Sequence, residues 1–412
     1  MNSFIMRHNI LSPAQFGFRN GCSTTQAIIK LLSHVVQAYH QRQYSACFFL
    51  DLKKAFDTVN HSILLKKLEH YGFRGHCYAF LKSYYDNRKQ YVHANGHNSV
   101  TMPITSGVPQ GSILGPLCFS LYINDMPLAV DEETILFADD AAFVLTSPTL
   151  EGLIRKIRNL FSALTEYLNI NRLVSNASKS KLMMFTSRPT ENLPVMRFGG
   201  KEIEWISEFK YLGLTITRTL NFTKHIGNIA LNVSRITGTI VNLRSIIPTQ
   251  TLVKLYYALA YPHISNHIVV WGAATTSQLK NLTVRINNML RMILGVVKIN
   301  GRPTISNKEL FKQLELLNLT SIYKYNLFKL LKLLLDGKLP AFWNVLMAQY
   351  VAPHTYNTRQ IRLRHPALVC EVERRALSHQ LILLHEKVPR NILECNYATA
   401  LKQFKKFLSD SQ

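Results

Sequence analysis

The six cysteines of this 412-residue chain form no pair at ligand or redox spacing. Cys22, Cys47, Cys77, Cys118, Cys370 and Cys395 are scattered, with no CxxC and no Cys/His cluster. That pattern excludes a zinc knuckle, offers no disulfide framework and makes a reducing compartment the expected setting. Long apolar runs are missing too. The most hydrophobic late stretch, 327–335, is broken by Lys329 and Lys332, so no membrane span is expected. The opening MNSFIMRHNILSPAQ has neither a continuous apolar core nor a small-residue cleavage site. No signal peptide is expected, and the chain reads as intracellular, nuclear or cytoplasmic, and not secreted. Charged residues are scarce at 17%, against 47% hydrophobic. That balance excludes a disordered polyelectrolyte and leaves apolar material for two or three domains with real cores.

Acidic residues are the scarcest charged class, 24 against 48 Lys and Arg, for a net charge of +24. The excess is uneven. Residues 1–150 hold 12 basic and 10 acidic side chains, whereas 151–412 hold 36 and 14. A basic back half favours phosphate backbones and releases counterions on binding. Ordinary solubility charge and an anionic membrane surface are the alternative readings of charge alone.

Along the chain, 22–43 has helical spacing and 46–52, ACFFLDL, reads as a buried strand ending at an acid. Residues 62–70 and 76–90 read as helices, and 90–105 as a hairpin around Asn95-Gly96. A Gly/Pro/Ser loop, 106–116, leads into an apolar helix over 117–123, and 134–146 is an apolar strand pair. A helix over 150–168 and strands over 180–186 and 196–217 follow, with mostly helical pattern from about 220. The polar stretch 299–308 marks a boundary before a helical tail. The order is α+β in front and all-α behind.

Two acids sit in an unusual place. ILFADDAAFVL sets Asp139 and Asp140 between two apolar strands, although aspartate is depleted in strands. A plain hairpin turn would account for the residue type. Two like charges against an apolar sheet are nevertheless costly unless a cation is present. Oxygen donors at a partly open site suit magnesium or manganese. Asp51, at the tip of FFLDL, is a third carboxylate that could face the same ion if the strands are neighbours, though it lies 88 residues away (139 − 51). Such acids can clamp two metal ions for nucleotidyl transfer.

FLDLKKAFD (49–57), SGVPQGSILGPLCF (106–119) and FADD (137–140) resemble the three central palm motifs of reverse transcriptases. The resemblance is nearest to non-LTR (LINE-type, jockey-like) retrotransposon polymerases. QFGFRNGCST (15–24) is similar to that family's fingers motif, and NASKSK (176–181) and FKYLGLTI (209–216) to its next palm motifs. LYYALAYPHISNHIVVWG (255–272) resembles a thumb, and HTYNTRQIRL (354–363) the family's tail.

The resemblance implies a right-hand polymerase fold: partial fingers and palm over 1–218, a helical thumb over 219–300 and a mostly helical C-terminal region over 301–412. It implies that Asp51 and Asp139 ligate two Mg2+ or Mn2+ ions, with Asp140 supporting them. Phe56 falls at the steric gate that excludes a 2′-hydroxyl. Gln110 and Gly111 fall at the nucleotide and template contact. Lys179 falls at the residue proposed to protonate pyrophosphate, and Arg19 at a fingers contact to triphosphate. Tyr211, Leu212 and Gly213 fall at the primer grip. The partners implied are an RNA template, a DNA primer and dNTPs; the sequence gives no sign of a membrane partner and no evidence for an obligate protein partner.

The chain begins 14 residues before QFGF, where the resembled polymerases carry more fingers sequence and usually an endonuclease. An N-terminally truncated copy is therefore expected, and a catalytically inactive nucleic-acid-binding remnant is the alternative function. Asp51 and Asp57 also fit a D-x5-D spacing seen in RNA-dependent RNA polymerases. On the preferred alignment, Asp57 is instead an acid at a helix N-terminus.

Overall fold

The computed structural model describes residues 1–186, 193–296, 298–299, 302–348 and 374–411. The tail motif at 354–363 and Cys370 lie outside them. The chain forms two compact units, Met1–Ser207 and Glu208–Gln412. The expected α+β organisation is present: sheet and helices in the first unit, mostly helices in the second.

The first unit opens with α1 (Asn2–Arg7) and α2 (Thr24–His40), followed by β1 (Tyr44–Leu50), α3 (His61–His70), α4 (Gly75–Tyr85) and α5 (Leu114–Tyr122). The strands β2 (Glu133–Phe137) and β3 (Asp140–Ser147), helix α6 (Leu150–Ile170), and strands β4 (Lys181–Phe185), β5 (Met196–Phe198) and β6 (Lys201–Trp205) complete it. The six strands form one sheet in the order β2-β3-β1-β4-β6-β5, antiparallel except between β4 and β6. Helix α2 packs on β1, β2 and β3, while α6 packs on β1, β3 and β5. A central strand buried on both faces needs no polar alternation, and YSACFFL is apolar nearly throughout.

Helix α2 starts where the Ser23 side chain accepts the Gln26 amide, satisfying one of the end's orphan donors. Its buried stripe, Ala27, Ile28, Leu31, Leu32 and Val35, repeats at helical spacing. Helix α6 starts in the same way at Thr149, whose side chain accepts the Gly152 amide. On one face of the sheet Phe48 is fully buried, with ring centroids 4.7 Å from Phe161 and 5.3 Å from Phe198. Aromatic burial of this kind is worth about 3–5 kcal/mol per side chain against alanine.

Residues 89–103 form two short exposed ribbons, Lys89–Gln90 with Met102–Pro103 and His93–Ala94 with His97–Asn98. Asn95 (φ 50°) and Gly96 (φ 77°) make the turn, as Asn-Gly predicts.

The second unit begins with a hairpin, β7 (Glu208–Tyr211) and β8 (Leu214–Thr217). Its longest helices are α7 (Thr223–Leu243), α8 (Thr276–Leu294), α9 (Leu319–Leu335) and α10 (Tyr397–Asp410). Helices α7 and α8 pack along each other. Helix α8 carries a capping box between Thr275 and Gln278 and ends at Gly295, φ 68°. The α9 and α10 pair is joined by stacked Phe328 and Phe404 rings, 4.1 Å apart. The polar stretch near 300 contains a short strand pair, Lys298–Ile299 with Arg302–Pro303. No helix among the described residues is long and apolar enough to cross a membrane.

Candidate active site

Antiparallel pairing joins the two acidic segments. The ladder sets Leu50 opposite Ala141 and Phe137 opposite Asp140. The β2–β3 turn is therefore Ala138–Asp139, and Asp140 is the first residue of β3 rather than a turn residue. Leu50 and Ala141 belong to the buried core. One position further out, strand alternation brings Asp51 and Asp140 to the opposite side.

Asp51 is fixed through its backbone. Its amide donates to the Ser180 hydroxyl at 3.1 Å, and its carbonyl accepts the Asn176 amide at 2.8 Å. Lys53 donates its amide to the Val174 carbonyl at 2.8 Å. The NASKSK loop is thus stitched to the segment that carries Asp51, a link invisible in the sequence. Ser180 is fully buried and was not among the expected site residues. Only its place inside NASKSK could have pointed to it.

Burial pushes the Asp140 carboxyl up to about 6, and the charges of Asp139 and then Asp51 push in the same direction. Asp140 therefore feels the charges of both other acids. All their donors are carboxylate oxygens at the exposed end of a sheet, a set that fits Mg2+ or Mn2+. Among the described residues no group of three or more His, Cys, Asp or Glu side chains is placed to hold a metal ion by itself. Magnesium commonly takes one or two carboxylates and fills its remaining positions with water and substrate phosphates, so an open carboxylate set is the expected protein share.

Phe56 follows in the turn after β1. Its ring is half-buried against the core, 4.6 Å from the Phe119 ring of α5. The loop 106–111 is laced to the same turn. Val108 donates its amide to the Phe56 carbonyl and Gly107 to the Val59 carbonyl, both at 2.8 Å, while His61 meets the Gly107 carbonyl at 2.7 Å. Gly107 (φ 90°) has room for no side chain, because a Cβ there would lie 2.9 Å from the Asp57 carbonyl oxygen. Gly111 has φ 80° and faces open space.

Gln110 donates from Nε2 to the Asp57 carboxylate at 2.8 Å. Asp57 is not a helix N-terminal acid, contrary to the sequence expectation. It stands in a turn, and α3 begins later, with Asn60 as its N-cap accepting the Ile63 amide. Its carboxylate instead orients Gln110.

Lys179 is exposed on the loop before β4. Arg19 donates to the Ser12 carbonyl at 2.9 Å, which ties the strip around QFGF together.

Tyr211, Leu212 and Gly213 lie in the second unit, at the tip of the β7–β8 hairpin. Leu212 (φ 46°) and Gly213 (φ 90°) are both left-handed. Leucine rarely adopts that conformation, and here His267 holds it by donating from Nε2 to the Leu212 carbonyl at 2.9 Å. His225 accepts the Thr215 amide on Nδ1 at 3.3 Å, and its buried Nε2 has no hydrogen-bond partner among the described residues. Burial, then His267 and Lys210, push His225 down to about 4 from an ordinary 6.5.

A group depressed in this way stays neutral in the folded chain while the unfolded chain takes up a proton. Stability is therefore lost as pH falls from 6.5 towards 4, by about 1.4 kcal/mol per unit in that window. Urea unfolding of the full chain at pH 7.5 and 5.5 should show this loss, and His225→Gln should flatten it. An identical slope in the variant would remove His225 as the cause.

Comparison with known proteins bears on the family of the chain. Residues 1–216 match the family described as reverse transcriptase (RNA-dependent DNA polymerase). The chain belongs to the reverse transcriptase family. Within it, the chain is similar to the RNA-directed DNA polymerase from mobile element jockey of Drosophila melanogaster, 31% identical over 68% of this chain and 32% of that protein. It is also similar to the probable RNA-directed DNA polymerase from transposon BS of the same fly, 28% identical over 71% and 34%. The resemblance to jockey-like non-LTR polymerases read from the motifs therefore holds. The chain spans about a third of the length of these curated relatives. Among solved structures, a telomerase from Candida albicans aligns with a TM-score of 0.42 at 12% identity, over 77% of this chain and 57% of that one. That likeness is too distant to inform the site.

Proposed function

We infer that this chain is an RNA-directed DNA polymerase of a jockey-like retrotransposon, transferring nucleotides from dNTPs to a primer 3′-hydroxyl on an RNA template. The observation that carries the reading is the gathering of Asp51, Asp139 and Asp140 at one end of neighbouring strands, from segments far apart in sequence. Asp51 and Asp139 would hold two divalent ions, and Asp140 would add negative charge beside them. When bound, the ions supply activation of the primer hydroxyl and neutralisation of the leaving pyrophosphate.

The chain's own part is positioning. Phe56 closes the space beneath the sugar of the incoming nucleotide, and Gln110, steadied by Asp57, contacts nucleotide and template beside Gly111. Lys179 delivers a proton towards pyrophosphate. The Tyr211–Leu212–Gly213 tip supports the primer end. Arg19 takes the smaller role of bracing its own strip, since its guanidinium already serves the Ser12 carbonyl.

On this reading 1–218 is palm with partial fingers, 219–300 thumb and 301–412 a helical tail region. The basic charge of the back half supports a duplex-backbone role there.

Purified full-length chain, given a DNA primer annealed to an RNA template, Mg2+ and dNTPs, should extend the primer. Salt-sensitive template binding without extension would favour the non-catalytic remnant, and preference for rNTPs would favour an RNA polymerase.

A further inference from the structure

The turn that carries Asp139 is braced by a segment from the far end of the first unit. Ala14–Gly17 lies along the free edge of β2 as a short parallel strip. The Phe16 amide donates to the Leu136 carbonyl at 2.8 Å, the Leu136 amide donates to the Ala14 carbonyl at 2.9 Å, and Gln15 bridges to Leu136. Gln15 is fully buried. Its Oε1 accepts the Gly17 amide at 2.8 Å and, through a longer contact of 3.4 Å, the amide of Ala138.

Ala138 is the residue under strain. It sits at φ 55°, a region costly for any side chain with a Cβ, and such strain persists only where the surroundings fix it. Gly17 supplies the second contact. A Cβ at Gly17 would lie 2.3 Å from the Ala138 nitrogen, so the glycine backbone rests directly on the turn. Meanwhile the Gln15 Nε2 has no hydrogen-bond partner among the described residues. A buried donor left unpaired is destabilising, so fold stability alone favours an apolar residue at this position. What leucine would lack is the oxygen that reaches Ala138.

We propose that Gln15 and Gly17 are positioning residues for the catalytic turn: Gln15 through its amide oxygen, and Gly17 through backbone contact, hold Ala138 left-handed so that Asp139 is presented towards Asp51. Neither touches substrate. The proposal deepens the polymerase reading and rests on it for its kinetic consequence, while the brace itself is independent of activity.

The test pairs Gln15→Leu, which removes the oxygen, with Gln15→Asn, which keeps an amide one methylene shorter. Hydrogen exchange of the full chain reads the brace directly. The peptide covering 137–140 should exchange faster in both variants, with β1 and β4 peptides unchanged. Extension at varied Mg2+ reads the consequence. The half-activating Mg2+ concentration should rise roughly 10-fold, the size typical when a support of a metal-binding residue is lost, and KM for primer–template should stay constant. A loss of folded protein would lower the amplitude of extension without moving the Mg2+ midpoint. Gly17→Ala should shift exchange in the same peptide.

Unchanged exchange over 137–140 in folded Gln15→Leu overturns the proposal whether or not the wild-type chain extends primers. If the wild type shows no extension while exchange responds as stated, the polymerase reading fails and the brace stands. Faster exchange with an unmoved Mg2+ midpoint removes the link to the metal.

Discussion

Asp139→Asn and Asp51→Asn are each expected to lower primer extension by roughly three orders of magnitude while leaving the chain folded. Asparagine keeps the shape of the side chain and removes its charge, so the substitution acts on cation binding. Stabilisation of charge by metal in a phosphoryl-transfer transition state is worth several kcal/mol, and about 4 kcal/mol corresponds to that factor in rate. Folding should not suffer. Asp51 is held by backbone bonds to Ser180 and Asn176 that asparagine retains. The crowding that raises Asp140 comes partly from Asp139 and Asp51, so removing either charge relieves repulsion in metal-free buffer. Single-turnover extension normalised to folded protein checks this. Activity within a few-fold of wild type would place the catalytic cations elsewhere.

Phe56→Ala should relax sugar selection. The ring is held by the core and by Phe119 at 4.6 Å, so it cannot swing aside to admit a 2′-hydroxyl. Excluding a competitor by steric bulk is a repulsive form of specificity, and filling or emptying one small volume is worth roughly 10–100-fold in discrimination. Competition between dNTPs and rNTPs should show that loss with dNTP use largely retained. Unaltered discrimination would make Phe56 a packing residue and transfer the selection to another side chain.

The three acids were legible because they break a pattern. In an apolar sheet segment an aspartate needs a reason, and ACFFLDL contains one and ILFADDAAFVL two. Helix α2 was legible from its apolar spacing, and structure adds its cap at Ser23. What stayed hidden depends on pairing across the sheet. Nothing local says that β1 lies between β3 and β4, or that the β2–β3 turn begins at Ala138. Asp57 looked like a helix-start acid because the apolar pattern after it is helical, but Asn60 takes the cap. Gln15 and Ser180 reach distant backbone, at Ala138 and Asp51, through side-chain hydrogen bonds, and one residue has no periodicity to read. Compact packing divides the chain at Ser207–Glu208, placing the β7–β8 hairpin with the helical half.

Direct binding of Mn2+, followed by its paramagnetic resonance signal in the full-length chain, tests the central claim without requiring turnover. Wild-type protein should bind Mn2+, Mg2+ should displace it, and Asp139→Asn and Asp51→Asn should each weaken binding by roughly 10-fold or more. Equal Mn2+ binding by the folded variants and the wild type would contradict the claim.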